Sequence, residues 1–224
     1  MRAEQIAELK PFMRLLVYGK WKNDIPLFSV LGDSGNLKIP SSIAIFNMSS
    51  AHDCPSFRLG LCTAYADGKH ICYAIRSETA ARPNVLPYRR KQEKFWLDTS
   101  SEDFCVQFIS RSILKPKPFT ALRFNEAGDF HSQSCVDKAE KIARILKRYG
   151  VISYCYTCRS DLDFSRVEAL RISGSGFKKP GIVNIFRIIP NRESKPRGYG
   201  LCPMSCYNCT RCLKAGMKTA VVRH

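Results

Sequence analysis

Cys202, Cys206, Cys209 and Cys212 fall within the eleven-residue run CPMSCYNCTRC. A segment this short cannot turn four side chains into one core, so thiolate ligation of a metal is the economical reading. The intervals of three, two and two residues leave out the long loop that separates the two knuckles of a structural zinc site. A polynuclear core presents several irons to a dense run, so an iron-sulfur cluster of the 4Fe-4S kind is favoured and zinc is the alternative. Cys54, Cys62 and Cys72 form a second group, with His52 and His70 beside it, in AHDCPSFRLGLCTAYADGKHICYA. Its irregular intervals read as a second metal site, or as ligands completing the terminal one. Cys105, Cys135, Cys155 and Cys158 look structural, although Cys155 and Cys158 spell CxxC and stand as reserve ligands.

A second chemistry rests on carboxylates. Asn125, Glu126 and Asp129 follow one expected strand, and Ser160, Asp161 and Asp163 follow the next. Loops at the carboxyl ends of neighbouring parallel strands are where α/β proteins bind ligands. Glu126, Asp129 and Asp161 are therefore the candidate catalytic residues, able to hold a hydroxyl or amine or to move a proton; capping the next helix is the competing role. Cys202, Cys206 and Cys209 also spell CxxxCxxC, the arrangement of radical S-adenosylmethionine enzymes. That motif normally follows an early barrel strand, whereas this one lies beyond all the expected strands, where Cys212 would close the fourth position. No GxxxxGKS, GxGxxG, serine nucleophile elbow or HExxH is present. Whether the chain is an enzyme stays open at this level.

The formal charge is +17, and from Arg171 to His224 eleven Lys or Arg face the single acid Glu193. An excess this local predicts an anionic partner, foremost nucleic acid. Arg89, Arg90 and Lys91, interleaved with Tyr88, Phe95 and Trp96, are candidates for contact, as are Lys178, Lys179, Arg192, Lys195 and Arg197. Compensation of a negatively charged cluster by the same cations is the competing reading. No apolar run nears the roughly 20 residues of a membrane span. The N-terminus reads as neither signal peptide nor anchor, so the 11 cysteines are expected reduced, in a cytoplasm.

These groups need a scaffold. Phe119–Asn125 reads as a strand, EAGDFHS as a turn, and Val136, Ala139, Ile142, Ala143 and Leu146 as one face of a helix that stops at Gly150. Val151–Thr157 reads as a second strand, SRVEALRI as a short helix and Ile182–Ile189 as a third strand, giving a βαβαβ unit with parallel pairing. A helix over Glu4–Tyr18, short strands at Leu27–Val30 and Ala44–Asn47, and a helix after Pro87 are expected further upstream. Gly174–Gly181 and Asn191–Gly200 read as linkers. The expected fold is α/β: a partial barrel-like βα core over residues 1–190, including the N-terminal cysteines, and a basic, cysteine-rich, metal-binding extension over 191–224.

The order GNLKIP (35–40), HDCP (52–55), ICYA (71–74), RFNEAGDFHS (123–132), VISYCYTCRS (151–160) and CPMSCYNCTRC resembles the bacteriophage protein family called gene product 88. The GDF turn, the YCYT strand and the terminal run are its most specific pieces. The resemblance implies a phage-encoded protein acting in the host cytoplasm and implies no activity. The family has a lysine where this chain has Cys158, so no role of that lysine is carried over.

Overall fold

The computed structural model describes residues 36–62, 65–66, 69–70, 72–79 and 82–223. The expected helix over Glu4–Tyr18 and strand at Leu27–Val30 lie outside them.

Strands β1 (Ile43–Phe46), β4 (Ala121–Phe124), β5 (Ile152–Thr157), β6 (Arg171–Ser175), β7 (Ile182–Ile189), β8 (Gly200–Leu201) and β9 (Lys218–Val222) form one sheet. Its order is β1-β4-β5-β6-β7-β9-β8, and every neighbouring pair is parallel. The row has two ends, β1 and β8, and the α/β class expected is the one observed. A separate two-stranded hairpin pairs β2 (Tyr65–Ala66) with β3 (Lys69–His70).

Between β1 and β4 run α1 (Pro55–Arg58), α2 (Tyr73–Thr79), α3 (Val85–Asp98) and α4 (Ser101–Leu114); α5 (Gln133–Lys147) crosses from β4 to β5. The apolar face read for α5 is buried as expected, and Gly150, at φ 77°, ends it with the reversal that a residue with a Cβ resists. Helix α4 is an addition to the sequence reading. Its start carries a capping signal: the Ser100 hydroxyl accepts from the Asp103 amide at 3.0 Å, with Glu102 and Asp103 in the first turn.

The sheet sorts its side chains by the two-residue period of a strand. Ala44, Phe46, Leu122, Phe124, Cys155 and Ile172 meet the helices, where Phe46, Trp96, Phe104 and Phe124 pack at ring distances of 4.9–6.4 Å. Ile43, Ile45, Ala121 and Tyr154 face the other way and meet Cys206, Cys212 and Leu213. The terminal cysteine segment therefore covers the face that the helices leave open.

Three expectations are corrected. SRVEALRI is a loop over residues 165–170 whose last two residues, Arg171 and Ile172, open β6, because Glu140 of α5 accepts from the amides of Glu168, Ala169 and Leu170 at 2.9–3.2 Å and so holds them out of a helix. Gly174 and Ser175 belong to β6, and Gly181 is packed so tightly that a Cβ would stand 1.6 Å from the Phe164 carbonyl oxygen; this stretch is no linker. The terminal run lies between β8 and β9, inside the sheet's chain order rather than beyond its last strand.

Candidate functional site

One thiol group lies against the open face of the sheet and another lies at its carboxyl edge. The terminal group starts at β8, where the Cys202 amide donates to the Ala220 carbonyl at 2.8 Å and sets the first cysteine beside β9. Met204 turns the chain at φ 63°. The Cys206 amide then donates to the Lys38 carbonyl at 2.7 Å, tying the run to the segment ahead of β1. A single 3-10 turn, Arg211–Leu213, brings Cys212 under β5, where the Tyr156 hydroxyl donates to its sulfur at 2.5 Å.

Arg123 on β4 lies over the Tyr156 ring at 5.3 Å and reaches the Tyr73 hydroxyl at 3.2 Å, which donates onward to the Glu126 carbonyl at 2.6 Å. Burial raises the pKa of the Cys206 and Cys212 thiols; Arg123 pulls both down, and the charges of Cys202 and Cys209 push both up. Cys206 and Cys212 thus share one guanidinium as a neighbour and lie within reach of the other two thiols of the run. Among the described residues the Arg123 Nε has no hydrogen-bond partner.

The second group forms at the carboxyl edge of the sheet. Strands β1 and β4 both end in Phe-Asn, in register at Phe46 and Phe124, and their loops interlock. Asn47 accepts from the Ala127 amide at 2.8 Å and donates to Gln92 at 2.8 Å, while Asn125 accepts from the Met48 amide at 3.2 Å. Gly128 comes so close to Ser49 that a Cβ would stand 2.0 Å from its Oγ. Asp129, 4% exposed, accepts from the Ser56 hydroxyl at 2.6 Å, the Cys158 amide at 2.8 Å and the Phe130 amide at 2.9 Å. Burial raises its pKa against the pull of these donors.

Cys54 and Cys158 lie near Asp129, and Cys62 and Cys72 lie near those two thiols; all four are partly buried. Burial and the Asp129 charge push the Cys54 thiol up to about 12. The Cys62 thiol donates to Cys158, which raises the pKa of Cys62 and lowers that of Cys158; Cys54 and Cys72 both add to the charge at Cys62. By contrast Cys105, Cys135 and Cys155 are 2%, 7% and 0% exposed and belong to the helix-side core, as structural cysteines should. Cys158, expected among the structural ones, is the member that sequence spacing hid, since it lies 86 residues after Cys72.

Among the described residues no three Cys, His, Asp or Glu are disposed to hold a single ion. Zinc would draw its sulfurs to about 3.8 Å of one another, given its bond length and tetrahedral geometry. His52 is taken up elsewhere, its Nδ1 lying 2.6 Å from Glu78.

The candidate carboxylates do not converge as a trio. Asp161 pairs with Arg159 at 2.7 Å, and that guanidinium, 4% exposed, holds its pKa below the ordinary carboxylate value. Glu126 accepts from Asn36 at 2.7 Å and lies 3.6 Å from Arg89. Arg89 itself is buried, 2.7 Å from Glu78, and turned away from any external partner. Arg90 pairs with Asp53 at 2.9 Å. Lys91, Lys178, Lys179, Arg192, Lys195 and Arg197 are exposed, with the Lys178 and Lys179 amines on the carbonyls of Ile182 and Ser160. No helix among the described residues is long and apolar enough to cross a membrane.

No curated protein and no solved structure matches the chain. The model of the bacteriophage family described as Gene product 88 matches residues 26–173, a span that holds Cys54, Cys62, Cys72, Asp129 and Cys158 and stops short of the terminal run. With well over half of its 224 residues inside that match, the chain belongs to the gene product 88 family.

Proposed function

We propose that this phage protein is an iron-sulfur protein that binds nucleic acid: Cys202, Cys206, Cys209 and Cys212 hold a 4Fe-4S cluster against the open face of the sheet. The observation that carries the reading is the position of Arg123, whose guanidinium acts on the Cys206 and Cys212 thiols and keeps an unpartnered Nε. Four thiolates on such a core leave a net negative charge, and a cation set beneath them offsets it. The cluster would supply an electron-accepting or structural centre. This chain's own residues place the ligands through the Lys38 and Ala220 carbonyls, donate to one sulfur through Tyr156, and hold the run between β8 and β9. The exposed bases Lys178, Lys179, Arg192, Lys195 and Arg197 then present the charge that attracts a phosphate backbone.

The test is anaerobic purification with iron, sulfide and zinc analysis of the native protein and of Cys206→Ser. Metal binding free energy is also folding free energy, so the variant should lose metal, expose residues 190–224 to protease and bind nucleic acid more weakly. Full metal content with unchanged affinity would end the proposal.

A second reading, a radical S-adenosylmethionine-like or nucleotide-modifying enzyme, is favoured by one observation. Asp129 and the cysteines that follow β1 share the carboxyl edge of a parallel sheet, the usual ligand edge of such folds. Incubation with S-adenosylmethionine under reducing, anaerobic conditions tests it, and absence of cleavage removes its radical form.

A further inference from the structure

The Asp129 carboxylate binds two otherwise separate parts of the chain. It accepts from the Cys158 amide at 2.8 Å and from Ser56 at 2.6 Å, and the Ser56 carbonyl in turn accepts from the Cys62 amide at 3.1 Å. Cys54 opens α1 and its carbonyl accepts from the Arg58 amide at 3.1 Å. Cys72 precedes α2 and packs against Ala51, Ala74, Ile75 and Ala127. Ser175, from β6, donates to the Cys158 sulfur. The segments after β1 and β5, tied through Asp129 of the loop after β4, thus bring four thiols to one edge of the sheet.

From this convergence we infer that Cys54, Cys62, Cys72 and Cys158 form a second thiolate centre, separate from the terminal run, that takes a polynuclear iron-sulfur core. All four remain partly exposed, unlike the three core cysteines, so a cofactor can reach them. A core of several irons takes its thiolates at separate corners and so accepts ligands from more than one loop, as this group supplies them. A guanidinium, that of Arg159, stands beside this group too, although it is also paired with Asp161 at 2.7 Å. It is buried and held by the Phe130 and His131 carbonyls, and its charge is felt by both Asp129 and Cys54. Ser56 and Asp129 orient the ligand-bearing backbone as outer partners do at metal sites. The family match encloses this centre and not the terminal one, so the two sites are separable in sequence as well as in space.

The experiment is anaerobic loading of the full chain with equal amounts of ferrous and ferric iron and with sulfide, counted per chain, for the native protein, for Cys158→Ser and for the variant with all four terminal cysteines changed to Ser. Each variant should retain about half the native iron and sulfide. Native content in Cys158→Ser, or none in the terminal variant, would overturn the inference. A measurement on the unaltered protein guards against misfolding: alkylation of native chains before and after loading, mapped by mass spectrometry. Loading should protect Cys54, Cys62, Cys72 and Cys158. Continued alkylation of these four, uptake of zinc in place of iron and sulfide, or only a Cys62–Cys158 disulfide on mild oxidation would each overturn it. Protection here with the terminal cysteines still reactive would instead remove the terminal-cluster proposal alone.

Discussion

The Tyr156 hydroxyl donates to the Cys212 sulfur at 2.5 Å, joining the last cysteine of the terminal run to the central strand β5. The ring is held independently, 5.0 Å edge-on from Phe186 and 5.3 Å beneath Arg123. Tyr156→Phe should therefore keep the fold and lose only the donor. Removing an outer partner of a ligand costs about 10–100-fold in metal affinity, so the variant should release iron faster to a chelator by that order. Release at the native rate would separate Tyr156 from the ligand set.

Arg89 sits 2.7 Å from Glu78, whose side chain is fully buried and also accepts from the Ala51 amide at 2.8 Å. Arg89→Met should cost about 3–5 kcal/mol in urea unfolding near neutral pH, because it strands a buried carboxylate. Burial opposes the charge on Glu78, but the Ala51 amide, His52 and Arg89 outweigh it and hold its pKa below the ordinary 4.5. A depressed folded pKa means that this stabilisation is present above pH 4.5 and is lost as pH falls through the lower folded value. The gap between native and variant should accordingly narrow in acid.

Gly128 has φ 73°, and a Cβ there would meet Ser49 Oγ at 2.0 Å and its carbonyl oxygen at 2.5 Å. Backbone strain and overpacking combine, so Gly128→Ala should destabilise by about 2–4 kcal/mol in denaturant unfolding. Gly216→Ala, at φ 79° with open space around it, should cost less.

Asp129→Ala leaves the Cys158 amide and the Ser56 hydroxyl without their acceptor. About 1–3 kcal/mol of stability should be lost for the unmet donors. Mild proteolysis should cut first near residues 54–62 and 158, the segments that the carboxylate ties together.

Nucleic-acid binding, measured by fluorescence anisotropy over a salt series, should fall linearly in log-log form with a slope of about −0.9 per phosphate neutralised on duplex DNA. Changing Lys195 and Arg197 to Gln should flatten the slope by up to two such increments. Arg89→Met should leave the slope unchanged, since that guanidinium is 5% exposed.

Local pattern carried much of the fold. The apolar stripe of α5, the runs that became β4, β5 and β7, and the strand-helix-strand order of β4, α5 and β5 were legible because periodicity and stop residues act within a few residues. The density of the terminal cysteines spoke for itself in the same way. Other features needed the folded chain. Helix α4 had a capping signal at Ser100 and Asp103, but its weaker apolar stripe hid it, and SRVEALRI lost its helical preference to Glu140, which lies 28 residues before Glu168 in the chain. The basic stretch around Arg89 looked exposed because charge is read without knowledge of a buried partner. Above all, spacing placed Cys54, Cys62 and Cys72 in one group but left Cys158 among the core cysteines. Only the parallel pairing of β1, β4 and β5 brings their loops to one edge, since the approach of residues so distant in sequence is decided by sheet order and by the hydrogen bonds of Asp129.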